Sequence, residues 1–359
     1  MKEKILSYFE IEKLNTTVKR EVLAGFTTFI SMAYILFVNP TVLGASGMDE
    51  GAVFTATALA SAIGCILMGV LARYPIGTAP ALGINAFFAY SVCLGMGIPW
   101  ETALAGVFVA SLIFILITIF KLREMIIDAI PADLKYAISG GIGLFIAFLG
   151  LSEGGIIVSN ESTLVGLGSL NVGSTWLTIF GLVVTAILLV RRVPGGIFIG
   201  MAATTILGLV TGLIPMPSEI VAAAPSLKPT FLVALKHVGD INSLQMWVVV
   251  LTFLLVTFFD TAGTLVGLAN QAGFMKDNKM PRVGKALASD STAMLAGSLL
   301  GTSPVGAFVE SSAGIAVGGR SGITAITTGI FFLLGLFFSP LLSVVTSQVT
   351  APALIMVGV

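Results

Sequence analysis

Charge is scarce in this chain: Asp, Glu, Lys and Arg make up 10% of 359 residues, against about 25% in an average soluble domain. With 56% hydrophobic residues, water is not its main solvent. Cysteine is nearly absent, and Cys65 and Cys93 each fall in an apolar stretch without a C-x-x-C or metal-ligand spacing. A disulfide framework is excluded, and packing explains both. The one histidine, His237, lies in a polar stretch, so no zinc or haem site is supported. No Ser/His/Asp or Cys/His set assembles among the apolar segments, and no cofactor is implied. Basic and acidic residues balance at 18 each without forming a basic block, which removes the electrostatic footprint of a nucleic-acid binder. The first 20 residues are polar and mixed in charge, unlike a cleavable signal peptide.

What is there is apolar sequence, in runs of the length that one helical crossing of a bilayer requires, about 20 residues. The runs fall at about 22–38, 52–72, 81–95, 102–120, 136–151, 175–190, 196–214, 246–270, 286–300, 306–318, 321–338 and from about 341 onward. They predict eleven crossings and the start of a twelfth in an all-α polytopic protein of the cytoplasmic membrane. Lys and Arg favour the cytoplasmic ends of short loops, so the amino terminus, with Lys2, Lys4, Lys13, Lys19 and Arg20, is placed inside. Alternation then puts Arg73, Lys121, Arg123, Lys135, Arg191, Arg192, Lys276, Lys279, Arg282, Lys285 and Arg320 inside as well, leaving only Lys228 and Lys236 outside. The boundaries expected are a cytoplasmic segment 1–21, a first unit of seven helices 22–214, an outer linker 215–245 with a short surface helix around Phe231–His237, and a second unit 246–359.

An internal repeat relates the two units. Ala58-Leu59-Ala60-Ser61, followed by Leu67 and Gly69, matches Ala286-Leu287-Ala288-Ser289, followed by Leu295 and Gly297; Gly77-Thr78-Ala79-Pro80 then matches Gly301-Thr302-Ser303-Pro304, with one four-residue indel between the matches. Seven crossings are odd, so the second copy enters from the opposite face, as in inverted-repeat transporters. A 7+7 plan predicts about fourteen helices. The second copy stops early in its fifth, so the natural protein is expected to be longer.

An ionisable group at mid-membrane costs at least about 2.5–3.5 kcal/mol and is by default a functional candidate. Most acids sit in loops or at segment ends, and Glu21 opens the first helix, where a carboxylate suits the helix dipole. Asp260, Asp290 and Glu310 remain. Asp260 begins Asp260-Thr261-Ala262-Gly263-Thr264, a carboxylate with two hydroxyls and a glycine on adjacent turns. Asp290, five residues after Lys285, reads equally as a helix cap, a link between helices or a proton-transfer group. Pro304 and the glycines of Thr302–Phe308 do not suit a helix interior, and Thr78–Gly83 reads the same way. Two extended stretches leading into half-helices are therefore expected near mid-membrane, with Asn85 and Glu310 at the helix starts. Gly140-Gly141-Ile142-Gly143 and Gly196-Ile197-Phe198-Ile199-Gly200 read as small-residue helix contacts.

The strings Asp260–Thr264, Ala288-Ser289-Asp290, Gly301–Pro304 and Phe308-Val309-Glu310-Ser311-Ser312-Ala313-Gly314, with Gly25-Phe26-Thr27-Thr28-Phe29 and Ala81–Phe88, resemble the AzgA-like purine permeases of the nucleobase/ascorbate transporter superfamily. The likeness runs over essentially the whole chain. It implies a fourteen-helix inverted-repeat fold with a core domain (helices in about 22–120 and 246–338) sliding against a gate domain (136–214 and from 341). It also implies proton-coupled uptake of adenine, guanine or hypoxanthine, with the base bound by Asp260 and Glu310 and the site lined by Asn85, Phe87, Phe308, Thr28 and Thr264. Asp290 would support Glu310 or the proton path, and a homodimer is compatible with the plan. A sulfate or bicarbonate carrier on the same fold is the alternative, which Glu310 at a helix start disfavours. A membrane-embedded enzyme lacks a nucleophile or metal set, and a channel would give currents too large for a carrier.

Overall fold

The computed structural model describes residues 6–120, 132–160, 163–217, 219–275 and 280–359. Lys2, Lys4, Lys121, Arg123, Lys276 and Lys279, used above to orient the chain, lie outside the described residues.

The helices fall where the apolar runs predicted them, and several begin at side-chain caps legible in the sequence. Helix α1 (Val18–Met32) starts at Thr17, which accepts from the Arg20 amide. After a turn at Ala33-Tyr34 it continues as α2 (Ile35–Gly44). Asp49 caps α3 (Glu50–Leu67), accepting from the Ala52 amide, and α3 extends through a π-helical turn, Met68–Ala72. Then come β1 (Thr78–Pro80), α4 (Leu82–Ala86) with its π-helical continuation Phe87–Gly95, α5 (Trp100–Ile119) and α6 (Ala132–Glu153). A hairpin of β2 (Ile157–Asn160) and β3 (Leu164–Leu167) leads to α7 (Gly173–Val190) and α8 (Gly196–Val210). After the linker come the short α9 (Val233–Lys236), α10 (Leu244–Gln271) capped by Ser243, α11 (Val283–Leu300), β4 (Val305–Ala307), α12 (Ser311–Val317), α13 (Gly322–Gly335) capped by Ser321, and α14 (Ser347–Gly358). Each cap satisfies a donor that the helix start leaves open.

The repeat is visible in the backbone. The 228-residue offset that relates Ala58 to Ala286 also relates Arg73 to Gly301, and both residues sit in the left-handed region (φ 60° and 100°) where their helices end. Gly301 adopts that conformation without the Cβ penalty that Arg73 carries. The four-residue indel is therefore the loop Tyr74–Gly77, outside both helices. Beyond it the two copies meet: β1 pairs antiparallel with β4, Thr78 opposite Ala307, Ala79 opposite Gly306 and Pro80 opposite Val305. The 224-residue offset between the prolines carries Thr78 opposite Ala307 to Thr302 opposite Gly83, which continues the same register. The ladder thus lies on the pseudo-two-fold axis relating the repeats.

Two packed bodies result. Helices α6, α7, α8 and α14 pack on one another, and α1 to α5 pack with α10 to α13. Small residues set the approach: a Cβ on Gly143 would meet the Gly358 carbonyl and one on Gly200 would meet Thr185, whereas Gly140 and Gly141 meet nothing within 4 Å and make no helix contact. Among the described residues, six helical segments, Val18–Gly44, Glu50–Ala72, Trp100–Ile119, Gly173–Val190, Leu244–Gln271 and Gly322–Ser343, are long and apolar enough to cross a membrane.

Hydrogen bonds group the helix ends as the alternation requires. On the face of the amino terminus, Tyr8 donates to the Val70 carbonyl (2.7 Å), Arg73 to the Tyr8 carbonyl (3.0 Å), Arg20 to the Val317 carbonyl (3.2 Å) and Arg282 to Glu10 (3.3 Å). Burial would push the Glu10 carboxyl up, but Lys13, Arg282 and Arg73 outweigh it and hold the group below its ordinary value. On the opposite face the linker is stitched to the helix ends, Leu232 N–H to the Leu299 carbonyl (2.8 Å) and Ala222 N–H to the Phe337 carbonyl (3.0 Å). The short helix expected around Phe231–His237 exists as α9 but is not a free surface element: Thr230 and Ala234 are buried, and α9 packs on α5 and α11.

Glu21 does more than complement the α1 dipole. Fully buried, it accepts from Thr16 (2.8 Å), the Arg320 and Ser321 amides (3.0 and 2.9 Å), Ser321 Oγ (2.8 Å) and Thr324 Oγ1 (2.6 Å), tying the start of α1 to the start of α13. Removing it strands several buried donors at about 1–3 kcal/mol each. Glu21→Ala is therefore expected to lower the thermal unfolding temperature of detergent-purified protein markedly; an unchanged melt would refute this role. The grouping of helix ends gives a second expectation. A cysteine at Ser159 and one at Lys13 should react with a membrane-impermeant thiol reagent from opposite faces, and labelling from the same face would overturn the crossing count.

Candidate functional site

The strand crossing places four sequence stretches around one space. Ladder and flanking bonds, including Ala81 N–H to the Pro304 carbonyl (3.1 Å) and Phe308 N–H to the Gly77 carbonyl (3.0 Å), satisfy backbone groups that could not remain open in hydrocarbon. Half-helices α4 and α12 then leave the crossing, with Glu310 at the N-cap of α12. Helix α4 begins at Leu82, three residues before Asn85, so Asn85 lies within the helix and not at its start.

A cavity of about 210 Å³ sits at this junction, and Asp260, Thr264, Phe308 and Glu310 line it together with Tyr34 and Phe259. Its far wall comes from the other body, through Gly143 and Ile146 of α6 and Val357 of α14. A second cavity of about 270 Å³ shares Asp260, Thr264 and Val309 and runs along α10 past Gly263 and Gly267 to Gln271. Helix α10 ends at Gln271 on the amino-terminal face, so the second cavity runs from the site toward that face.

Half of the expected site residues lie off the cavity. Asn85 is fully buried in a network that joins the repeats: Asn85 Nδ2 donates to Asn39 Oδ1 (2.6 Å), Ser303 Oγ to Asn85 Oδ1 (2.5 Å), and Asn39 Nδ2 to Thr57 Oγ1 (2.7 Å) and Thr302 Oγ1 (2.8 Å). Phe87 packs edge-on against Phe253, centroids 5.6 Å apart. Thr28 is buried beside Gly77 and Gly314, its hydroxyl without a hydrogen-bond partner. Asp290 lies about two turns into α11, where Arg282 holds the N-cap position, so the helix-cap reading is corrected. Its carboxylate accepts from Thr261 of α10 (3.3 Å), the link between helices. Gly306 of β4 is pressed against the same pair: a Cβ there would stand 3.2 Å from Thr261 Oγ1 and 3.6 Å from Asp290 Oδ1.

Two residues were missed. Tyr34, fully buried, donates its phenol to Glu310 Oε1 at 2.5 Å and lies 6.4 Å from the Phe308 ring. Asn39 is the hub of the network above. Both are uncharged polar side chains inside an apolar run, where no charge marks them out.

Comparison with known proteins places this geometry. The profile of the Permease family (Xan_ur_permease) matches residues 19–359. The chain belongs to this permease family. It is 57% identical over 361 residues to the guanine/hypoxanthine permease PbuG of Bacillus subtilis strain 168, covering 98% of this chain and 82% of that protein. Adenine permease AdeP of Escherichia coli K12 is 43% identical over 354 residues, covering 98% and 78%. Among solved structures, the transmembrane domain of the cyanobacterium bicarbonate transporter BicA superposes with a TM-score of 0.70 at 16% identity, over 95% of this chain and 88% of that one, which shows the fold. The relatives are named as permeases, and the permease described here is a multi-pass carrier, not an enzyme.

The network gives a test of Asn85. Asn85→Ala in the permease should lower stability by about 1–3 kcal/mol while KM for uptake stays within about twofold, less than 0.5 kcal/mol. A large rise in KM at unchanged melting temperature would instead put Asn85 in contact with the cargo.

Proposed function

We propose that the permease is a secondary active transporter that takes up purine bases with protons, by sliding one body against the other. The observation that carries this is the pairing of two carboxylates, Asp260 and Glu310, in one small cavity walled by Phe308, Phe259 and the Tyr34 ring. A purine matches each part. Its ring and exocyclic N–H groups are donors for carboxylate oxygens, and its faces stack on phenylalanine. At about 210 Å³ the space falls below the roughly 300–1,000 Å³ of sites for drug-sized ligands, which suits a bare base over a nucleoside. The relatives named for guanine, hypoxanthine and adenine support the same cargo.

Tyr34 sets how Glu310 meets that cargo. With Oε1 accepting the phenol hydrogen, Oε2 is the oxygen left for a substrate N–H. Two carboxylates facing one dry space repel each other, so a proton entering with the base relieves the repulsion and travels with it. Because the cavity has one wall on each body, a displacement between bodies would carry base and proton across the membrane, as alternating access requires. The Lys and Arg of the short loops support a cytoplasmic amino-terminal face, the face toward which the second cavity runs.

An anion carrier is the second reading, since the neighbour of matching fold is a bicarbonate transporter. The cavity disfavours it, because a bound anion would meet two carboxylates and, among the cavity-lining residues, no Lys or Arg.

Radiolabelled hypoxanthine uptake in purine-uptake-deficient cells, with guanine, adenine, uracil and bicarbonate as competitors, tests the reading. Asp260→Ala and Glu310→Ala should each cut uptake by about 100-fold or more at normal membrane level, since each leaves substrate donors desolvated and unpaired. Asp260→Ala with unaltered purine affinity would show the site to be wrong. Glu310→Gln retaining proton-coupled uptake would remove its carboxyl from the proton path.

A further inference from the structure

Besides Glu21, another carboxyl outside the site, that of Glu153, has a buried oxygen. Glu153 is the last residue of α6 and accepts a hydrogen bond from the phenol of Tyr90. Its other oxygen, Oε2, is buried with no partner. Tyr90 belongs to Phe87–Gly95, the continuation of half-helix α4, so the bond joins the two bodies.

Its position relative to the cavity is informative. Ile84 of α4 and Ile146 of α6 both line the cavity, and α4 and α6 are in contact. Tyr90 is six residues beyond Ile84 and Glu153 seven beyond Ile146, a rise of about 9–10 Å along each helix. Both helices run from the cavity toward the face that carries the 157–167 hairpin. The cavity is thus open along α10 toward Gln271 and bridged by Tyr90 and Glu153 on the other side.

We infer that the Tyr90–Glu153 hydrogen bond is the lock that closes the site toward the hairpin face and must break in each transport cycle. The unpartnered Oε2 makes the closed state self-limiting. A buried acceptor without a donor is unfavourable, the more so when charged, and separation of the bodies would return it to water. The lock therefore combines one favourable bond with one standing penalty, as a contact that forms and breaks repeatedly requires. This inference rests on the alternating-access reading of the function.

The test uses the full chain with Cys65 and Cys93 replaced by serine. A Tyr90→Cys, Glu153→Cys pair would be bridged with a short cleavable bifunctional thiol reagent, since a direct disulfide needs closer backbones than a Tyr–Glu contact provides. Complete crosslinking is expected to reduce hypoxanthine uptake more than tenfold, with hypoxanthine binding retained and uptake restored on cleavage. Fully crosslinked protein that transports at the uncrosslinked rate overturns the lock. A second measurement needs no crosslink. A cysteine at Gly267, where a Cβ would meet nothing within 4 Å, reports access from the amino-terminal face. Tyr90→Phe should lower its labelling rate several-fold by favouring the state open to the other face, while Glu153→Gln, which keeps an acceptor for the phenol, should not. Equal labelling of the Tyr90→Phe variant and its parent also overturns the inference. Failure of the site reading is distinguishable: it shows as transport by Asp260→Ala, whatever the crosslink does.

Discussion

Every backbone donor and acceptor placed in hydrocarbon must find a partner inside the protein, and the β1–β4 crossing is how this chain meets that demand where its helices break. Pro80 and Pro304 cannot donate, and the residues around them cannot continue a helix. Each broken stretch therefore leaves groups that the other stretch, approaching antiparallel, satisfies with the help of side chains such as Cys65 and Ser311. Since the stretches come from the two repeats, the copies are held at the point where the cavity forms. The half-helices, the N-cap position of Glu310 and the placement of Phe308 all follow from that ladder.

Side chains around the crossing extend the same logic. Asn39, Asn85, Thr57, Thr302 and Ser303 satisfy one another across the repeat boundary, and a buried polar network fully satisfied in this way specifies one arrangement of the elements it joins. Glu21 plays a comparable part nearer the amino-terminal face, where it takes two amides at the start of α13. Residues that look like candidates for binding because they are polar in an apolar chain are here partly consumed by folding. What separates Asp260 and Glu310 from Asn85 is not polarity but whether the neighbours leave an oxygen facing the cavity.

The sequence was read well where the signal is local. Apolar runs located the crossings, Pro and Gly located the breaks, and Asp49, Ser243 and Ser321 are caps of ordinary kind. The repeat made the antiparallel meeting of the copies foreseeable, and the resemblance that named a purine permease family agrees with the family match. Of the residues singled out in the sequence, Asp260, Thr264, Phe308 and Glu310 line the cavity, while Asn85, Phe87, Thr28 and Asp290 do not. The difference lies in long-range partners. Asn85 lost its reach to Asn39, 46 residues away, and to Ser303, 218 away; Tyr34 gained its place from Glu310, 276 residues on. No spacing rule within one helix contains those pairings.

The two bodies differ in how they are held. Around the crossing, hydrogen-bonded side chains and a backbone ladder fix the helices that carry Asp260 and Glu310. Small-residue contacts occur in both bodies, as at Gly69 and Gly314 in the first; in the α6, α7, α8 and α14 body Gly143 packs against Gly358 and Gly150 against Ala351, and Thr178 donates to the Gln348 carbonyl. Close apolar packing of this kind is firm within a body but adds little directionality at its border, since lipid-like surfaces lack the geometric demands of a hydrogen bond. The proposed sliding mechanism uses that asymmetry: in it the binding groups keep their geometry through the cycle while one boundary changes register. Polar contacts across the boundary then matter out of proportion to their number, because a directional bond there selects one register and its loss releases the choice. On the proposed sliding mechanism, the placement of Tyr90 and Glu153 at that border, away from the crossing, fits a division between a body that holds the cargo and one that lets it pass.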